Sequence, residues 1–385
     1  MRKVMGWIKN LIVIMIATIL SFESFSFFAT KLELFLVNET PSVYKSTSNE
    51  DYPDIRYGLT ERESWGAWHV TNSTFRHSKS CFDITMSFNE VGARDDSFSN
   101  LPDSSLLLLG DSFAEGFGVD KKESSEYIIE EKLELPILNF GTSGSFGPLQ
   151  QLLIYQQYKK LPHQGLIIYV LPHNDFTDND QEFWGDIDRT RYRPYFSLES
   201  NPLIPYYFTE AVPRDNFLST QYYGAIKQLI KDYFWSSNAL RTVSMLLQGD
   251  ANYTLVSKNK ESIKSYFYDA SSKQQLNLVS AYEAILDVAD NKNVLFVIIP
   301  SINDIARWKR ETDRDRYKVS YWYQSFENFR SRTQQKVEIL NLIEYLPSRT
   351  DELFFKCDAH WSPQGNAWAA EVVVRFIINR DFFRL

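Results

Sequence analysis

Residues 106–113 read Leu106-Leu107-Leu108-Leu109-Gly110-Asp111-Ser112-Phe113. Four consecutive leucines closed by glycine have strand length and no polar face, the composition of a strand covered on both sides. Such strands belong to parallel sheets sandwiched by helices, where ligands bind at the carboxyl ends. A serine at the tip of this strand stands where a nucleophile would be exposed, although Gly-Asp-Ser also makes ordinary turns.

The same signature recurs outward along the chain. Residues 166–171 and 294–299 are apolar runs of strand length, and 137–140 and 337–342 are interrupted by single polar residues. Helical patterns lie between them at 125–135, 148–160, 275–289 and, more weakly, 321–335. A last helix is opened by Ser362 as cap and Pro363 in its first turn and runs to about residue 378. This alternation predicts an α/β chain, a three-layer α/β/α sandwich on a five-stranded parallel sheet, over residues 101–385. It breaks at about 176–273, an insertion dense in aromatics that include Phe183, Trp184, Tyr192, Tyr195, Phe196, Tyr222, Tyr223 and Trp235. Because it leaves from the end of the third strand, it reads as a subdomain that also walls a substrate cleft.

The chain has 385 residues with 44% hydrophobic and 23% charged, which excludes wholesale disorder. A net charge of −8 with no basic block excludes a nucleic-acid backbone as partner. Aromatics at 15% suit a large core or a surface for planar or sugar-like ligands. The histidines His69, His77, His163, His173 and His360 are scattered and only Cys81 and Cys357 are available, so neither a metal site nor a cofactor is expected.

At the N-terminus Arg2, Lys3 and Lys9 precede an apolar run from Leu11 that continues to Phe28 with one glutamate, Glu23. Residues 1–30 therefore read first as an uncleaved signal anchor and second as a cleaved signal peptide. Both place the rest in the periplasm or outside the cell, where Cys81 and Cys357 could pair or remain two buried thiols. Residues 31–100 are polar and irregular, a stalk and lead-in. Asn38, Asn72 and Asn252 head glycosylation sequons that count only in a host that glycosylates.

Three further segments stand at predicted strand ends or before the last helix. Asn139-Phe140-Gly141-Thr142-Ser143-Gly144 would let a backbone N–H approach the nucleophile, or serve as a plain tight turn. Pro172-His173-Asn174-Asp175 offers a side-chain amide to a developing oxyanion. Asp358-Ala359-His360-Trp361-Ser362-Pro363 puts a carboxylate two residues before a histidine, so that Asp358 can fix the tautomer of His360 while the other nitrogen takes a serine proton. His173, with Asp175 two residues on, is the rival base; the remaining histidines are read as structural.

Taken in order, the four segments resemble the serine, glycine, asparagine and Asp/His blocks of the SGNH (GDSL-type) esterase superfamily, over roughly residues 100–380. The resemblance implies a parallel α/β/α, flavodoxin-like fold with Ser112 as nucleophile, His360 as general base and Asp358 as its orienting partner. It also implies oxyanion donors at the backbone N–H of Ser112, the N–H of Gly144 and the side chain of Asn174. Two departures stand out. Pro172 occupies the position where the third block usually has glycine, and Asp358 and His360 are separated by one residue instead of two. The Asp-x-His-Trp pattern is similar to that of alginate-type polysaccharide O-acetyltransferases, which carry the pair upstream of the serine. The stretches Phe88-Asn89-Glu90-Val91-Gly92-Ala93-Arg94-Asp95 and Arg193-Pro194-Tyr195-Phe196 look like those of membrane-tethered bacterial members.

The expected activity is an extracytoplasmic serine esterase removing O-acyl groups, with acetyl the first choice, from carbohydrate. The alternatives are a polysaccharide O-acetyltransferase using the same residues with a separate membrane acyl-donor partner, and an inactive carbohydrate-binding or scaffold protein.

Overall fold

The computed structural model describes residues 2–32, 34–35, 62–79, 81–143, 147–184, 193–197, 204–207, 233–248, 264–332, 335–356 and 358–384. Five strands, β1 (Leu106–Gly110), β2 (Ile137–Gly141), β3 (Gly165–Val170), β4 (Asn293–Ile298) and β5 (Val337–Asn341), form one sheet in the order 2-1-3-4-5. Every pairing in it is parallel. The helices are α1 (Arg2–Lys31), α2 (Ser125–Leu133), α3 (Pro148–Tyr158), α4 (Ser236–Gln248), α5 (Ser272–Ala289), α6 (Ile302–Arg310), α7 (Tyr321–Phe329) and α8 (Pro363–Arg380); shorter turns are given by residue range.

The leucine run shows why the sheet sits in the middle. Leu107 and Leu109 point with Leu138, Ile168 and Phe296 into a core that includes Leu149, Leu152 and Tyr155 of α3, Tyr282 and Ile285 of α5 and Trp322 and Phe326 of α7. Leu106 and Leu108 point the other way, with Ile137, Ile167 and Val297, toward Ile129 and Leu133 of α2 and Val373 and Ile377 of α8. Alternate residues thus fill two cores, and no position on β1 faces water. The result is the expected α/β/α sandwich with a five-stranded parallel sheet.

The elements fall within a few residues of their sequence-based positions, and the differences have local causes. Helix α5 begins at Ser272, ahead of its first apolar repeat, because Ser271 and Gln274 form a reciprocal capping box. Helix α7 stops at Phe329, six residues early, where the Arg330 N–H closes the last turn onto the Asn328 and Glu327 carbonyls. Described residues of the lead-in are folded onto the domain. An antiparallel hairpin pairs Thr74–Lys79 with Phe82–Ser87, and Trp65, Trp68, Ala93 and Phe98 are buried in the first of the two cores. Phe82, Ile84 and Met86 are buried and alternate with exposed Asp83, Thr85 and Ser87, a strand period that the reading of residues 31–100 as irregular passed over, whereas Trp65, Trp68, Ala93 and Phe98 follow no such period. Cys81 is disulfide-bonded; Cys357, the one other cysteine in the sequence, lies outside the described residues.

In the insertion, Pro194–Phe196 pairs antiparallel with Pro205–Tyr207, and Tyr195 and Phe196 are buried. Tyr192, Tyr222 and Tyr223, counted among its aromatics, lie outside the described residues, as do the sequons at Asn38 and Asn252. Asn72 lies in an exposed turn with a left-handed backbone.

Candidate active site

In the order 2-1-3-4-5 the chain leaves β1 to one side and β3 to the other, and this reversal opens a crevice at the carboxyl ends of the two strands. Ser112 follows β1 and Asn174 follows β3, so both stand at that crevice. Ser112 is the first residue of a one-turn helix, Ser112–Glu115, capped by the Asp111 carboxylate, which accepts the Phe113 N–H at 2.9 Å. The turn closes on Gly116 at φ +75°, a conformation that glycine adopts without penalty. Behind it, a Cβ at Gly141 would collide with the backbone of Ala114 and Glu115. The glycine of the second segment is thus required for β2 to pack against the serine turn.

His360 reaches the serine from the far end of the chain. Its loop is held by a bridge between Phe354 and Trp361, by the Phe355 N–H donating to the His360 carbonyl at 3.0 Å, and by Ser362, which caps α8. Trp361 is buried edge-on against Phe113, and the imidazole stacks on Phe117 with centroids 4.2 Å apart. The Nε2 of His360 lies 2.6 Å from the Ser112 Oγ, and its Nδ1 is hydrogen-bonded to Asp358 Oδ1. The same Asp358 oxygen accepts the His360 backbone N–H at 3.0 Å. A single-residue spacing therefore suffices, because one carboxylate oxygen serves both the main chain and the ring. An ionised carboxylate only accepts, so Nδ1 carries the proton and Nε2 presents its lone pair to the serine O–H.

The rival base is arranged otherwise. His173 is exposed, and the Asp175 carboxylate turns inward to accept the Leu171 N–H and the Tyr282 hydroxyl, each at 2.8 Å. Burial pushes the Asp175 pKa well up, and the nearby Asp111 adds to the rise. His163 is buried in local contacts, to Tyr155 and the Leu161 carbonyl, and His69 is buried against Glu115, 46 positions on in the chain. Pro172, the departure in the third segment, sits in the first turn of the Pro172–Asp175 helix, where its fixed φ and missing N–H are tolerated.

The candidate oxyanion donors are in part described. Gly144 lies outside the described residues. The Asn174 amide donates to Asp111 Oδ2 at 3.2 Å, which takes one of its two N–H groups. Asp111 is one residue from the serine, and its role is not readable from the sequence. Its pKa is pushed up to about 6 by burial, opposed by the Phe113 N–H, by His360 when that ring is protonated, and by the Asn174 amide.

Because the folded state raises this pKa from 3.8, it binds more protons than the unfolded chain between about pH 4 and 6. The associated stability is present below pH 4 and lost as pH rises through 6. Asp111→Asn is therefore expected to melt above the parent at pH 8, by on the order of 1–3 kcal/mol. That advantage should vanish at pH 3 in the same melting series, below both pKa values, and an equal gain at both pH values would contradict the assignment.

Sequence reasoning also missed a buried frame beneath the serine turn. Arg94 donates to the carbonyls of Glu115, at 2.8 Å, of Gly116 and of Val119, at 2.6 Å. The Glu115 carboxylate accepts the backbone N–H and the hydroxyl of Ser143 and pairs with His69 Nε2 at 3.1 Å. Asp95 accepts the Asn139 N–H of edge strand β2 at 3.0 Å. The stretch Asn89–Asp95, noted in the sequence without a role, ties the serine and glycine segments together.

No family model matches this chain, and no curated protein does. Among solved structures, it is similar to a lipolytic protein of the G-D-S-L family from Desulfitobacterium hafniense, at 11% identity and a TM-score of 0.31 over 71% of this chain and 98% of that one. It is similar to the lipase Lip_vut3 from a goat rumen metagenome, at 14% identity and 0.37 over 73% and 99%. A third is the salicylyl-acyltransferase SsfX3 from a tetracycline biosynthetic pathway, at 12% identity and 0.34 over 75% and 57%. These three solved structures are thus a lipolytic protein of the G-D-S-L family, a lipase and an acyltransferase.

Proposed function

We propose that this protein is an ester-acting enzyme of the SGNH (GDSL) type that works through a Ser112 acyl-enzyme. The observation that carries the reading is the hydrogen-bonded series Ser112–His360–Asp358 at the crevice between β1 and β3. His360 Nε2 takes the serine proton as Oγ attacks the ester carbonyl, and Asp358 stabilises the imidazolium that forms. The imidazolium returns the proton to the leaving alcohol, the tetrahedral centre collapses, and an acyl group is left on Ser112. Water, deprotonated by the same imidazole, then releases the carboxylic acid.

The oxyanion donors in this proposal are the Ser112 N–H, the Gly144 N–H and the Asn174 amide. Asn174→Ala should lower kcat by about 10²–10³-fold with little change in KM. A loss confined to KM would assign Asn174 to substrate binding instead.

The substrate is read as an O-acetylated carbohydrate. Ser112 is only 5% exposed, which favours a small acyl group, and the aromatic insertion begins right after the Asn174 turn, where it can wall an acceptor sugar. The same restricted exposure favours a second reading, transfer of the acyl group to a sugar hydroxyl with water excluded. Helix α1 is apolar and long enough to cross a bilayer over Lys9–Lys31. It is read as a signal anchor, or a cleaved signal peptide, with the lead-in and the catalytic domain facing the periplasm or exterior.

The test is aryl acetate turnover with and without an added oligosaccharide, beside Ser112→Ala. Serine-dependent release of the aryl alcohol supports the enzyme, and acetylated sugar in the mixture selects the transferase. Equal rates in parent and variant would leave the scaffold reading.

A further inference from the structure

Helix α1 carries one acidic residue, and its position is unusual. With Lys31 at the outer headgroup level, Glu23 lies about 12 Å along the helix toward the middle of the bilayer. An unpaired carboxylate there is costly and calls for a partner. The structure supplies one from the insertion. Glu23 accepts the Trp235 N–H at 2.8 Å, the Ser236 N–H at 3.2 Å and the Ser236 hydroxyl. These groups open α4, whose first turn presents unsatisfied N–H donors.

One helical turn and two turns on, the same face of α1 carries Phe27 and Thr30. Phe27 packs edge-on against Trp235 with centroids 5.0 Å apart, and Thr30 accepts from the Asn238 amide at 3.0 Å. Ser26, Ala29 and Thr30 are buried, whereas Phe22, Phe25 and Phe28 stay exposed to the surroundings. Glu23, Ser26 and Thr30 of the anchor are thus covered on the α4 side, and Phe22, Phe25 and Phe28 are left for lipid.

Helix α4 has its own apolar face. Trp235, Asn238 and Ala239 are buried, while Leu240 and Val243 are 51% and 52% exposed. Exposed Tyr233 precedes it, and Lys31 lies over the Trp235 ring at 5.4 Å. Tyr, Trp and Lys are the side chains that mark a membrane–water interface.

We propose that α4 is a second, non-spanning membrane contact. It lies in the headgroup–acyl boundary against the outer end of α1, with its N-terminus holding the Glu23 carboxylate and its Leu240–Val243 face toward lipid. This inference rests on the reading of α1 as a membrane anchor. Its consequence is that the insertion, which departs beside Asn174 in sequence, is held at the bilayer surface.

The test uses the full-length protein in vesicles of phosphatidylethanolamine and phosphatidylglycerol. An environment-sensitive fluorophore is placed singly at Val243→Cys, Leu20→Cys or Lys159→Cys, and quenching by lipids spin-labelled near the headgroup or deep in the acyl chain is compared. The expected result is that position 243 loses most of its emission to the shallow quencher, 20 to the deep quencher, and 159 to neither. Glu23→Leu should relieve quenching at 243 and leave 20 unchanged. An unquenched 243 beside a quenched 20 would overturn the docking surface while sparing the anchor. An unquenched 20 would overturn the anchor and the inference with it. Quenching at 243 that persists in Glu23→Leu would overturn the role given to Glu23.

Discussion

Ser112→Ala and His360→Ala are each expected to lower aryl acetate turnover by on the order of 10⁴–10⁶-fold, and the double variant should lose little more. The two side chains act in one event: the serine is nucleophilic only as its proton moves to Nε2, 2.6 Å away. Removing either ends that event, and removing the second then costs almost nothing. What remains is the contribution of the oxyanion donors and of binding. Ser112 is a small side chain, and its backbone N–H and the Asp111 cap survive truncation, so melting temperatures should change little. Independent, multiplying losses in the single and double variants would show that the two residues do not share a step. Parallel losses of activity and folding would show that they are structural.

The second large effect is expected at Asp358. Asp358→Asn should reduce kcat by about 10⁴-fold, with KM close to that of the parent. The carboxylate accepts from Nδ1 and from the His360 backbone N–H. An asparagine can keep the backbone bond through its carbonyl oxygen, so the loop stays in place. Its amide N–H turned to Nδ1 would favour the tautomer with the proton on Nε2, which faces Ser112 with a donor where an acceptor is needed. Steady-state kinetics with parent-like melting checks this; a variant that loses only KM would remove Asp358 from the proton path.

The sheet was legible because β1, β3 and β4 are unbroken apolar runs of strand length, a pattern that a half-exposed strand or a surface helix does not produce. Ser112, Asn174 and His360 were legible for a related reason: each follows a strand or precedes a capped helix, and the crevice forms at those ends. The surrounding frame was not. Arg94 and Glu115 are 21 positions apart and His69 lies further still, so no local period or motif links them. Glu115 is an acidic residue with no sequence signal of burial, yet it is 1% exposed. The Asp111–Asn174 bond joins positions 63 residues apart across the sheet's switch point and exists only once β1 and β3 are paired. Glu23 was visible as the one charge in an apolar segment, but its partner lies in the insertion, 213 residues on from it at Ser236.

The central claim is that an acyl group passes through Ser112, and the most direct measurement is to trap it there. The full-length protein would be mixed rapidly with an aryl acetate, quenched in acid, and its mass measured intact and after peptide digestion. The account predicts a transient gain of one acetyl group, mapped to the peptide containing Ser112 and absent from Ser112→Ala. Turnover of the ester with no adduct at Ser112, or an adduct that persists elsewhere in Ser112→Ala, would contradict it.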